Sequence, residues 1–259
     1  MQAYGKAFAL VYNLKWVDFA QHVAPLIRAF YESTPIADSL SASPQHGKAL
    51  LDVCCGTGHL ALHFLEHGYR VTGVDLSEPM LHYAAENTAH YVESGQARFV
   101  HADAADFSLD ERFGLAVSTF DALNHLPGKE ALRGCFESVH ALVVEDGLFI
   151  FDLNTRRGLA QWSDINVRDT PDALIINRGL FEEERDRAWV KITGFLRTEG
   201  GLYERFEQTA YNTAFDLAWV RDTLFKAGWQ SAYFCRVQDL GMPIVEPEGE
   251  NRVFVVARR

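Results

Sequence analysis

The sequence predicts an α/β fold: a doubly wound, mostly parallel sheet carrying an antiparallel β insertion after its fifth strand. Three observations carry that expectation. From Ala49 to Leu153, short apolar runs alternate with segments of helical periodicity, as strands covered on both faces require. The connections between them are short, which favours right-handed crossovers within one sheet. After Leu153 the period changes to two, and the alternating segments lie close enough to pair as hairpins.

Taken in order, Tyr4 to Tyr31 places apolar residues at helical spacing (Phe8, Val11 and Tyr12, then Trp16, Phe19, Val23, Leu26, Ile27 and Phe30). Ser33–Gly47, with two prolines and four serines, reads as a connector. Ala49–Cys54 is the first strand, followed by Gly56-Thr57-Gly58 and a helix over His59–His67 that stops at Gly68. Arg70–Asp75 is the second strand; Ser77 caps the next helix, with Pro79 tolerated in its first turn. Ala97–His101 and Leu115–Thr119 are the third and fourth strands, a helix runs from Pro127 to Val144, and Gly147–Leu153 is the fifth strand. Ala173–Phe181, Ala188–Thr198 and Leu202–Tyr211 alternate with period two, the last two joined at Glu199-Gly200-Gly201. A helix over Phe215–Ala227 ends at Gly228, and strands Ser231–Val237 and Arg252–Ala257 follow. The expected organisation is an N-terminal helical cap and linker (1–48), a core domain (49–154 and 213–259) and the insertion (155–212).

The 259 residues are 48% hydrophobic and 23% charged, within the range of soluble globular proteins. The net charge of −11 is unevenly placed: residues 49–152 hold 16 acidic and 5 basic side chains, a poor surface for a nucleic-acid backbone. No apolar run approaches the ~20 residues of a membrane-spanning helix. Lys6, Asn13, Lys15 and Asp18 interrupt the first apolar stretch, so neither a signal peptide nor a membrane partner is expected. Cys54, Cys55, Cys135 and Cys235 form no C-x-x-C pair and no zinc spacing. The expectation is a cytoplasmic protein with buried thiols at Cys54 and Cys55 and no bound metal.

Chemistry concentrates in Leu51-Asp52-Val53-Cys54-Cys55-Gly56-Thr57-Gly58-His59-Leu60-Ala61. A strand ending in an acid, then a G-x-G turn, then a helix, lets backbone approach a ligand closely at a helix N-terminus. Gly56-x-Gly58-x-x-Ala61 also satisfies the dinucleotide fingerprint. Against a diphosphate, acids end three successive strands (Asp52, Asp75, Asp103), and no lysine or arginine lies between Ala49 and Tyr69. That balance favours a cationic nucleoside. Asp75 is placed to accept both hydroxyls of a ribose, and Asp103 lies where a base would sit. Each acid alone is an ordinary helix cap or loop residue; their joint placement carries the functional reading.

These segments resemble the class I S-adenosylmethionine-dependent methyltransferases. The resemblance rests on LDVCCGTGHLA (51–61), GVDLSEPML (73–81), HADAADF (101–107), FGLAVSTFDALNHL (113–126) and GLFIFDLNT (147–155), and it extends more weakly through 215–257. It implies a Rossmann-like enzyme that uses S-adenosyl-L-methionine and releases S-adenosyl-L-homocysteine, with a substrate-covering sheet like that of small-molecule members. The turn from Asp52 through Cys54 and Gly56 to Gly58 would then hold the methionine portion. Asp75 would bind the ribose, with Leu76 and Met80 against the adenine, and Asp103 would accept from the adenine amino group beside the backbone of Ala104. By the same resemblance Thr119 lies beside the cofactor, and Tyr12 matches a tyrosine that closes over the methionine carboxylate. Cys54 stands where the family usually has glycine; an ordinary negative φ and slightly more room are expected there.

His125, just after the fourth strand, is the candidate general base for an amine or hydroxyl; a histidine packed at a helix start is the competing reading. Asn124 beside it, Trp16 one turn from Tyr12, and Trp189 and Glu207 on the alternating strands are the candidate acceptor contacts. His59, His63 and His67 step along one helix edge, a spacing that metals use but that also describes a solvated rim, which is the expectation here. Together these readings give in-line N- or O-methylation of a small-molecule acceptor by a monomer or homodimer. The insertion would cover the acceptor, and the N-terminal helix would close the cofactor side. The alternatives are an NAD(P)-dependent oxidoreductase and a non-catalytic cofactor-binding module.

Overall fold

Five strands with apolar residues on both faces form the centre of the main sheet: β1 (Ala49–Val53), β2 (Arg70–Asp75), β3 (Ala97–His101), β4 (Phe113–Ser118) and β5 (Val143–Asn154). In this computed structural model, which describes residues 4–34, 48–198 and 200–259, they run parallel in the order β5-β4-β1-β2-β3. Every residue of β1 and β4 is buried, the consequence of helices on both faces. The order reverses between β1 and β4, so their carboxyl ends open onto the crevice where such sheets bind ligands. β12 (Arg252–Arg258) inserts antiparallel between β5 and β10 (Ser231–Arg236), and β11 (Asp239–Pro243) closes that edge.

Side chains of β1 alternate between two cores, as the pleat dictates. Ala49, Leu51 and Val53 pack with Phe136 and Val139 of α6 (Lys129–Leu142) and Val220 of α8 (Leu217–Lys226). Leu50 packs on the other face with Ile27 of α2 (Asp18–Glu32) and Phe64 of α3 (His59–Glu66). Ser77 caps α4 (Glu78–Asn87) as expected, its Oγ accepting from the Met80 amide at 3.3 Å; the short α5 (Ala89–Glu93) leads to β3, and α7 (Arg156–Ala160) follows β5. The helical pattern over Tyr4–Tyr31 is two helices that break at Trp16-Val17, because α1 (Lys6–Lys15) and α2 serve different surfaces. Phe8 and Val11 of α1 pack with Met80 of α4 and with the second sheet, whereas α2 packs on the main sheet. The connector read over Ser33–Gly47 lies, beyond Thr34, outside the described residues.

The second sheet is four-stranded and antiparallel: β6 (Ile165–Thr170), β7 (Ala173–Glu182), β8 (Arg187–Arg197) and β9 (Tyr203–Thr213). The sequence predicts only the last three. β6 escapes because its apolar alternation is only Ile165 and Val167, both exposed, ahead of Arg168-Asp169-Thr170; β11 is likewise short, with Gly241 and Pro243 breaking its pattern further. β5 begins at Val143, ahead of the expected Gly147, because its pairing with β4 restarts across a register shift between Phe113 and Leu115. Among the described residues no helix is long and apolar enough to cross a membrane.

Gly134, inside α6, sits against the loop after β3: a Cβ there would lie 2.2 Å from the Ala105 carbonyl oxygen. Helix propensity alone favours Gly134→Ala by about 1 kcal/mol. The contact reverses the sign, so urea denaturation of Gly134→Ala should show a net loss of ~1–3 kcal/mol.

Candidate active site

A cavity of about 270 Å³ opens at the carboxyl ends of β1, β2 and β4, roofed by α1 and the second sheet. One wall holds Cys54, Gly56, Asp75, Leu76 and Met80; Tyr12 and Trp16 enter from α1. A smaller space of about 30 Å³, lined by Asp52 and Thr57, adjoins it, with Tyr12, Cys54 and Thr119 forming part of both linings.

The β1–α3 turn is built on backbone conformations that glycine favours. Gly56 has φ +54°, and a Cβ there would meet the Tyr12 ring at 3.6 Å. Cys54 has φ +60°, so the negative φ expected for it is wrong: the turn keeps its glycine-like shape and the cysteine adopts it, at a cost of roughly 1–2 kcal/mol. Burial pushes the Cys54 thiol up, so it is a neutral wall of the cavity. Asp75 is fixed by two amides: Oδ2 accepts from Gly56 at 2.9 Å and Oδ1 from Ser77 at 2.8 Å. Asp52 is almost fully buried, and its Oδ2 has no protein partner; burial, then the nearby Asp75, raises its carboxyl to about 8.

These groups fit S-adenosylmethionine. A buried, unpartnered carboxylate at Asp52 suits the α-ammonium of the methionine portion. Asp75 has a fixed orientation and lone pairs for vicinal hydroxyls, and Leu76 and Met80 offer apolar contact to a base. Thr57 Oγ1 is likewise buried without a protein partner in the smaller space.

The opposite end holds His125, in the 3-10 turn after β4. Its Nδ1 lies 2.8 Å from the Tyr211 carbonyl, which only accepts, so the proton is assigned to Nδ1. Nε2 is then the lone-pair nitrogen, and it accepts from the Tyr4 hydroxyl at 3.2 Å. Beside it, Phe120 and Asp121 are consecutive left-handed residues (φ +67° and +49°). This bend brings the Asp121 amide to within 2.9 Å of Asp152 Oδ2, and Arg252 bridges the carboxylates of Asp121 and Asp152. The guanidinium also lies 4.8 Å from the Phe19 ring centroid.

Of the residues singled out from sequence, Tyr12, Trp16, Cys54, Gly56, Asp75, Leu76, Met80, Thr119 and His125 meet at the larger cavity, and Asp52 at the smaller. Gly58 lines neither; it lets α3 approach α4, where a Cβ would lie 3.0 Å from Ala84. Asp103 turns back to accept from the Ala105 amide at 2.9 Å, and Ala104 is buried in the core, so neither reaches the cavity. Asn124 is not an acceptor contact: it is wholly buried, donating to the Asn154 and Thr213 carbonyls and accepting from the Asn154 amide. Trp189 and Glu207 are corrected by strand alternation, because Val190, Ile192 and Ala210 face the cavity. Glu207 is instead paired outside with Lys191 at 2.7 Å and Arg205 at 2.6 Å. The three helix-edge histidines are engaged separately: His59 with Asn13, His63 with Arg28, and His67 with the His63 carbonyl. Sequence reasoning misses Tyr4, Asp121, Asp152, Asn177, Asn212 and Arg252, whose roles depend on contacts between distant elements.

A sheet with this strand order and an acid-lined crevice at its switch point define a nucleoside-binding α/β enzyme. The family described as methyltransferase domain matches residues 50–147. The dTDP-3-amino-3,4,6-trideoxy-alpha-D-glucopyranose N,N-dimethyltransferase of Streptomyces venezuelae is 33% identical over 209 residues, covering 76% of this chain and 85% of that protein. Among solved structures, an S-adenosylmethionine-dependent methyltransferase from Clostridium acetobutylicum superposes with a TM-score of 0.76 at 20% identity, covering 97% of each chain. Streptomyces venezuelae DesVI gives 0.72 at 22% identity, covering 98% of this chain and 99% of that one. The chain belongs to the class I S-adenosylmethionine-dependent methyltransferases. It is an enzyme, its methyl donor is S-adenosylmethionine, and the dinucleotide alternative falls away.

Asp52 holds its proton in the folded protein well above the ordinary carboxyl range. The native state therefore binds more protons than the unfolded state between about pH 4 and 8, and stability falls as pH rises through that window. Asp152, raised to about 6, acts in the same direction. Cofactor-free protein should melt at progressively lower temperature from pH 5 to 8. Asp52→Asn should flatten that slope and stabilise the protein at pH 8, on the order of 3 kcal/mol, while weakening S-adenosylhomocysteine binding. Asp75→Ala should weaken the same ligand by ~2 kcal/mol or more in calorimetry, through loss of charge-assisted hydrogen bonds.

Proposed function

We propose that this enzyme N-methylates a small amine, with His125 taking the proton that the amine sheds. The carrying observation is the cavity that His125, with Nε2 as its lone-pair nitrogen, and Asp75, on the cofactor side, both line. The Asp121–Arg252–Asp152 set adds more negative than positive charge to that space, which favours a cationic ligand. The N,N-dimethyltransferases of Streptomyces venezuelae and Streptomyces fradiae, with which the chain aligns, act on amino sugars, and they support an amine over a hydroxyl. The acidic balance of residues 49–152 argues against a nucleic-acid acceptor. Four free cysteines suit a reducing cytoplasmic compartment.

When bound, S-adenosylmethionine supplies a methyl group already activated on a positively charged sulfur. The protein's own work is alignment, exclusion of water and proton removal. Asp75 and Asp52 would hold the nucleoside and amino-acid ends respectively, and α1 with the second sheet covers the cavity. An amine that displaces the Tyr4 hydroxyl meets the Nε2 lone pair, and the Tyr211 carbonyl stabilises the imidazolium through Nδ1.

His125→Ala should lower turnover by ~100-fold or more while leaving S-adenosylhomocysteine affinity intact. A variant that loses melting temperature but keeps full activity per folded molecule would mark His125 as a packing residue instead.

A further inference from the structure

Two carboxamides of the second sheet line the cavity with buried polar atoms that lack partners. Asn212 is 1% exposed, and neither its Nδ2 nor its Oδ1 has a partner among the described residues. Asn177 Oδ1 is buried in the same condition on β7. Both line the cavity, on the face that also presents Val190 and Ile192. Burying such groups unpaired costs stability that an apolar residue would not, and nearby Asn124 shows that this fold can satisfy an asparagine completely.

The position of Asn212 is fixed from both sides. Its neighbour Tyr211 offers its carbonyl to His125 at 2.8 Å, and its neighbour Thr213 accepts from Asn124 at 2.9 Å and donates to the Leu126 carbonyl at 2.8 Å. The backbone of β9 is thus pinned to the turn that carries His125, with the Asn212 carboxamide between the pins. Arg252, which also lines the cavity, already bridges two carboxylates. What faces the acceptor from this wall is therefore neutral and both donating and accepting, the complement of a hydroxyl or an amide and a poor match for a carboxylate or phosphate.

We propose that Asn212, together with Asn177, is a specificity-determining contact that reads a neutral hydroxyl or amide group of the acceptor while the acceptor's nitrogen lies at His125. The proposal rests on the amine-acceptor reading and goes beyond it by naming what the second sheet recognises.

The test uses the full chain saturated with S-adenosylhomocysteine and two probes, 3-amino-3-deoxy-D-glucose and cyclohexylamine, titrated calorimetrically into wild type, Asn212→Leu and Asn212→Ala. Wild type should prefer the amino sugar. Both variants should lose ~10-fold or more of that affinity while holding cyclohexylamine and S-adenosylhomocysteine as before. Asn212→Leu should also melt at higher temperature than wild type without ligand, a gain that a structural asparagine would not give. A lower melting temperature for Asn212→Leu, or unchanged amino-sugar affinity in both variants, overturns the proposal. Equal wild-type affinity for the two amines overturns it while leaving the amine reading intact. Wild type that binds S-adenosylhomocysteine but neither amine overturns the amine reading and the proposal with it.

Discussion

Four carboxylates crowd one desolvated crevice, and this constraint organises the rest of the molecule. Asp52, Asp75, Asp121 and Asp152 are buried or nearly so, and Arg252 serves only the last two. Burial holds Asp52, Asp75 and Asp152 above the usual carboxylate range, Asp152 in spite of Arg252, so desolvation favours the protonated form of each. A sulfonium nucleoside with an α-ammonium carries positive charge complementary to such a crevice. The strained backbone at Cys54 and at Phe120-Asp121 belongs to the same design, since these bends aim the surrounding groups at the crevice.

Coverage of the crevice depends on one short N-terminal segment. α1 lies between α4 and the second sheet, packed by Phe8 and Val11 against Met80, Ile175 and Ile192. Ahead of it, Tyr4 ties both halves of the site: its carbonyl accepts from Ser77 Oγ at 2.9 Å, and its hydroxyl meets His125 at 3.2 Å. Cofactor side and acceptor side are therefore linked through a single residue. That segment shares with the second sheet the task of keeping water from the crevice.

The parallel core is legible in the sequence because its signals are local: apolar runs, the Gly56/Gly58 turn, and the Ser77-Glu78-Pro79 helix start. Asp52 and Asp75 are found from the same segments, because the carboxyl ends of parallel strands open onto the crevice, whereas Asp103, at the end of β3, bonds back to its own loop. β6 and β11 are illegible because the alternation of Ile165 with Val167, and of Leu240 with Met242, is too short to establish a period. Trp189 and Glu207 mislead because alternation gives two faces without saying which looks inward. Asn124 misleads because a buried asparagine bonded to backbone has the same letter as one bonded to a ligand. Arg252 escapes altogether: only the antiparallel register that sets it opposite Asn154 brings it to Asp121 and Asp152.

That register has a kinetic consequence. Arg252 and Asp121 are 131 positions apart, so their pairing is non-local, and its loop-closure entropy must be met before the contact repays it. The parallel strands and their helices can assemble from nearer contacts. The crevice acquires its working charge pattern only when β12 slots between β5 and β10. The charge balance at this end of the crevice is therefore set by the docking of a strand far in sequence from the glycine turn that marks the site.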